Sequence, residues 1–137
     1  MSDITVTAAK VAVVFPEQAE IYNVLLAEAV TKGQALYQTT SGTYGLADAN
    51  DSGKEQFRGI ALEAANAGEA ISMLKRGILA GYTLGTYEDL VYLSNRAGAL
   101  ADAAGAMTVR VGRVMSLADP DKTEVLYVEA NWLDNWS

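Results

Sequence analysis

One pattern occurs twice in this chain. Leu36-Tyr37, Ser41-Gly42, Leu46-Ala47-Asp48-Ala49 and Gly59-Ile60-Ala61-Leu62 are followed by Val91-Tyr92, Ala97-Gly98, Leu100-Ala101-Asp102-Ala103 and Gly112-Arg113-Val114-Met115. An aliphatic-Tyr pair, a small-Gly turn, the Leu-Ala-Asp-Ala segment and a glycine opening an apolar run keep their order with only short gaps. Chance rarely does this, so one β supersecondary unit used twice is the simplest account. The repeat units span about 33–62 and 89–115. Neither copy carries a nucleophile-base pair, a phosphate loop or a soft metal cluster.

Glycines recur along the chain at short intervals from Gly33 to Gly112, a cadence of short strands and turns. Strands are expected near Ala35–Thr39, Phe57–Leu62, Ala70–Lys75, Ile78–Leu84, Leu90–Ser94, Met107–Met115 and Glu124–Ala130. The first segment, 1–16, reads as a strand or extended arm that stops at Pro16. Residues 17–30 are compatible with a short helix, since Ile21, Val24, Leu25 and Ala29 share a helical face, but the repeat favours a strand. The expected fold is all-β, a small sandwich or barrel of short strands with an internal two-copy repeat. It forms one domain over 17–130, flanked by the arm and a tryptophan-containing tail at 131–137.

Composition narrows the chemistry. The 137 residues include neither histidine nor cysteine. Triad hydrolysis, zinc catalysis and thiolate chemistry therefore lack their usual side chains. Seventeen acidic against ten basic residues give a net charge of −7, a surface repelled by nucleic acid phosphates. No stretch approaches the ~20 apolar residues that span a bilayer. Met1-Ser2-Asp3-Ile4-Thr5 lacks the basic region of a signal peptide. Synthesis in the cytoplasm, with no nucleic acid or membrane partner, is the expectation.

Several constellations invite a chemical reading. Asp48-Ala49-Asn50-Asp51-Ser52-Gly53 opens like a calcium loop, but its twelfth position is Gly59, where a bidentate Glu is needed; a solvated turn is expected. Gly77, Gly81 and Gly85 have the spacing of packed membrane helices without the length, and suit turns or bulges in a curved sheet. Carboxylates are plentiful, yet no spacing selects a glycosidase-like pair. No catalytic, metal-ligating or cofactor-binding residue is assigned. Thr108-Val109-Arg110-Val111-Gly112-Arg113-Val114 alternates polar with apolar, so Arg110 and Arg113 should leave the core, as isolated surface charges or as partners for acidic groups on another subunit. Both tryptophans, Trp132 and Trp136, lie in the last six residues; docking onto the domain itself or onto a neighbour is expected.

Ala27-Glu28-Ala29-Val30-Thr31-Lys32-Gly33-Gln34-Ala35-Leu36-Tyr37, Arg58-Gly59-Ile60-Ala61-Leu62 running to Gly68-Glu69-Ala70-Ile71, Leu90-Val91-Tyr92-Leu93-Ser94 and Val109-Arg110-Val111-Gly112-Arg113-Val114 resemble phrases of the small tailed-phage capsid decoration, or cement, proteins. The resemblance covers about two thirds of the chain; residues 17–30 and the tail do not match the family pattern. It implies a non-enzymatic β domain on the exterior of the mature virion capsid. There it would clamp neighbouring major capsid subunits as a homo-oligomer, a trimer favoured over a dimer. The candidate contact residues are Ile4, Val6, Val11, Val13, Phe15, Arg110, Arg113, Trp132, Leu133 and Trp136. The alternative is a glycan- or receptor-binding module of a phage fibre or baseplate, with Tyr82, Tyr87 and Trp132 stacking on sugars.

Overall fold

The computed structural model describes residues 3–118 and 124–133. These residues form strands at Thr5–Val6 (β1), Ala12–Val14 (β2), Glu20–Leu25 (β3), Ala35–Gln38 (β4), Tyr44–Leu46 (β5) and Phe57–Ala61 (β6). The rest are Ala70–Ala80 (β7), Tyr82–Thr83 (β8), Leu90–Leu93 (β9), Leu100–Ala101 (β10), Arg110–Met115 (β11) and Val125–Glu129 (β12). Short 3-10 turns at Ala8–Lys10 and Pro16–Gln18 are the helical content. The fold is all-β: a ten-stranded antiparallel sheet curled into a half-barrel, and a small pairing of β1 with β8.

The repeat is visible as matched pairing. In the first half Leu36 faces Gly59 and Tyr37 faces Phe57, with Arg58 bulged between them. In the second, Val91 faces Gly112 and Tyr92 faces Arg110, with Val111 bulged. The next strands correspond too, Ile60 pairing with Leu74 and Arg113 with Tyr127. The two glycines are interchangeable in role. A Cβ on Gly59 would stand 2.7 Å from the Leu74 carbonyl oxygen, and one on Gly112 would overlap the carbonyl of Tyr127, the equivalent residue. Each glycine lets two strands close over a bulge, which is why it opens both apolar runs. The hairpins β4–β5 and β9–β10 differ in register, so the match is tightest in the paired core strands.

β7 joins the halves. It pairs with β6 of the first half and β12 of the second, and also receives β2 and β3. Its first half is buried on both sides: Ile71 and Met73 enter one apolar cluster with Val24, Leu26, Leu36 and Ala61, while Leu74 enters the other. The larger cluster combines Ala35, Phe57 and Ile60 from the first half with Val91, Val111, Val114, Leu126 and Val128 from the second. Neither half therefore owns that core.

Within 17–30 the strand favoured by the repeat is β3, Glu20–Leu25; the 3-10 turn Pro16–Gln18 takes up the start of the segment, and its end is bends and isolated bridges. The expected strands near Ala70–Lys75 and Ile78–Leu84 are one strand to Ala80, followed after Gly81 by the short β8. Gly77 marks a tight approach rather than a turn, because Ala19 Cβ stands 3.0 Å from where its own would be. The N-terminal residues are built into the sheet: β2 pairs with β7, and the Ile4 N–H donates to the Leu100 carbonyl at 2.8 Å.

Candidate interaction surface

The bulge at Val111 sets the geometry of β11. Three-residue spacing would ordinarily place Arg110 and Arg113 on opposite faces of a strand. The extra residue turns both outward, while Val111 and Val114 enter the core. Around them Leu90, Arg110, Gly112, Arg113, Tyr127 and Glu129 line a shallow depression of about 270 Å³. Arg113 is anchored, its Nη1 donating to the Glu88 carbonyl at 2.6 Å and standing 3.9 Å from the Glu88 carboxylate. Arg110 is exposed, and among the described residues no hydrogen bond or ion pair engages its guanidinium. The Tyr127 hydroxyl donates to Glu129 at 2.5 Å; that bond, then burial, raises the tyrosine pKa. The depression thus offers a guanidinium that is unpaired among the described residues, a second cation fixed at one rim, an aromatic ring, and one carboxylate, Glu129, engaged by the Tyr127 hydroxyl.

A second exposed region lies on β3. Ile21, Tyr22 and Leu25 are exposed there, as is Phe15 just before it. Phe15 has a φ of 58°, a left-handed conformation that costs an L-residue about 1 kcal/mol. Trp132 belongs to this region. Its Nε1–H donates to the Arg58 carbonyl at 2.8 Å, its ring centroid lies 5.2 Å from that of Tyr22, and Lys75 Nζ sits 4.6 Å from the ring centre. Glu20 bonds both Lys75 (3.3 Å) and Arg76 (3.1 Å) beside it. Trp132 thus docks on its own domain.

The remaining expected contact residues are dispersed. Val11 is 2% exposed and packs in the larger cluster, so it is core and has no surface to offer a partner. Its neighbours in the pattern, Ile4 and Val13, are half-buried against the same cluster. Val6 is exposed on β1, opposite Tyr82. Leu133 is 95% exposed, and Trp136 lies outside the described residues. Of the residues expected to stack on sugars, Tyr82 is half-buried with its hydroxyl donating to the Gly33 carbonyl at 2.8 Å, Trp132 is covered as above, and Tyr87 is exposed. Burial raises the Tyr82 pKa far above its ordinary value.

The Asp48 loop is a closed structural turn. Asp48 Oδ1 accepts from the Asn50 N–H at 2.9 Å, Lys54 pairs with Asp51 at 3.5 Å, and the buried Glu55 accepts from the Gly53 N–H at 2.6 Å and Gln56 Nε2 at 3.0 Å. Burial alone would push the Glu55 carboxyl up, but these hydrogen bonds outweigh it and hold its pKa below the ordinary value. Among the described residues no cluster of His, Cys, Asp or Glu is arranged to hold a metal ion.

Both arginines face outward as expected, but they share a face only through the bulge at Val111, which the alternation in the sequence does not show; the depression they share with Leu90 and Tyr127 was not legible either, because it depends on three strands meeting. The exposed β3 residues carried no sequence signal beyond the ambiguity of their segment. No family model, curated protein or solved structure matches the chain.

Proposed function

We propose that this protein is a structural component of a tailed-phage virion that binds the outer surface of the mature capsid and stabilises the shell by clamping neighbouring major capsid subunits. The observation that carries this reading is where the phrases resembling decoration proteins fall. Leu36-Tyr37, Gly59-Ile60-Ala61, Val91-Tyr92-Leu93 and Val111-Gly112-Arg113-Val114 occupy β4, β6, β9 and β11. They are the paired strands of the repeat, so the resemblance follows the scaffold and is not confined to loops.

Physical features favour the same role. Among the described residues, β2 pairs with β7 and the Trp132 side chain bonds the Arg58 carbonyl of β6, so a load applied near either point is passed to the central strands. The acidic chain is repelled by packaged DNA. A shell presents many copies of one site, and contacts to several subunits add through effective concentration. A ligand that binds the expanded shell in preference to its loosened form raises the free energy of disruption.

The test is sedimentation of purified protein with expanded and unexpanded shells of the parent phage. Saturation at a fixed simple ratio on expanded shells alone is the expected outcome. Absence of binding to both forms would remove the capsid reading.

A further inference from the structure

The repeat allows each residue of the second half to be compared with a residue in the same structural position of the first. Tyr37 faces Phe57 where Tyr92 faces Arg110, and Ala35 faces Ile60 where Leu90 faces Arg113. Ile60 faces Leu74 where Arg113 faces Tyr127. The four first-half residues Ala35, Phe57, Ile60 and Leu74 are all 0% exposed and lie in the larger core, packed against the second half. Their four equivalents, Leu90, Arg110, Arg113 and Tyr127, line the outer depression.

The same face of the same unit is therefore an internal interface in one half and open in the other. The scaffold does not require arginine at either position, since Phe57 and Ile60 serve there in the first half. What arginine supplies at an uncovered face is a planar donor set suited to carboxylates. The aromatic Tyr127 and aliphatic Leu90 beside it retain part of the apolar character of the equivalent covered face.

We infer that this outer face of β9, β11 and β12 is a docking surface for a carboxylate-bearing segment of a shell subunit, with Arg110 as the free anchor and Arg113 the fixed one. The assignment of the occupant rests on the capsid reading; the choice of face rests on the comparison of the two halves. Charge complementarity selects the occupant's chemistry. Two arginines against the single Glu129 carboxylate, which the Tyr127 hydroxyl engages, make the depression a cationic spot on a chain of net charge −7, and Arg110 has no ion-pair partner among the described residues to compete with an incoming carboxylate.

The experiment is shell binding by full-length Arg110→Glu, Arg110→Lys and Lys10→Glu variants, each first checked by circular dichroism for the native β signal. Lys10→Glu makes the same change in net charge at an exposed position in the N-terminal 3-10 turn. Arg110→Glu should raise the concentration for half-saturation of expanded shells by about tenfold or more, with a smaller rise for Arg110→Lys and a change within about twofold for Lys10→Glu. Wild-type binding that survives Arg110→Glu unchanged would overturn the docking surface and leave the capsid reading standing. Failure of the wild type to bind any shell would overturn both. Analytical ultracentrifugation of the protein alone separates the other occupant: self-association abolished by Arg110→Glu would assign the face to a second copy of this chain and overturn the shell assignment.

Discussion

At the scale of single residues, the positions that decide the fold are those where two backbones come closest. Gly112 faces the Tyr127 carbonyl with no room for a methyl group. Gly112→Ala should therefore separate β11 from β12 and cost about 3 kcal/mol, measured by urea denaturation. At Gly59 part of the contact is the flexible Met73 side chain, but the Leu74 carbonyl is again backbone, and a loss of similar sign is expected. Tyr82 gives a pH-dependent signature. Its folded pKa is raised, so its contribution is complete below the unfolded pKa of about 10 and declines as pH rises above it, where only the unfolded chain ionises readily. Tyr82→Phe should cost about 1 kcal/mol at neutral pH through the lost bond to Gly33, and should flatten the alkaline fall in stability. Glu55 acts at the other end: its folded pKa is lowered, so its contribution is present above the unfolded value and disappears as pH falls through the folded one.

At the scale of elements, most strands were legible because their alternation or apolar run matched their burial. β4, β6, β9 and β12 fall within a residue or two of the positions read from the pattern. β11 begins later than expected, at Arg110, and β5 and β10 were not anticipated. The latter two are short partners whose pairing, rather than their composition, makes them strands. The interruption expected around Arg76-Gly77 came from reading glycine as a turn or bulge; β7 runs through it as one strand, with Lys75 bulged against β3 and the missing side chain of Gly77 accommodating Ala19. The destination of Trp132 was equally hidden, since the sequence says that a tryptophan needs cover without saying whose. Trp132→Phe keeps the ring but loses the Nε1–H bond to Arg58, and should cost about 1 kcal/mol; Trp132→Ala should cost about 2 kcal/mol. Hydrogen exchange would locate the damage: faster exchange in β3, beside Tyr22, with β9 unaffected, is the expected pattern.

For the whole molecule, the two halves make one cooperative unit because the larger core is assembled from both and β7 pairs with each. A single unfolding transition, coincident by circular dichroism and fluorescence, is expected. Fragments 1–86 and 87–137 expressed separately should not fold, since each would expose the face that the other covers. The repeat was legible from its phrases. Its consequence, that equivalent faces are buried in one half and open in the other, depends on the curl of the sheet, which no local spacing encodes. The outer face carrying Arg110 and Arg113 is thus a property of the assembled fold, and a cryo-electron microscopy reconstruction of expanded shells incubated with the protein addresses it most directly. The account predicts density for the domain at a fixed lattice site, with β11 and β12 turned toward a shell subunit; an undecorated shell, or a domain seated through another face, would contradict it.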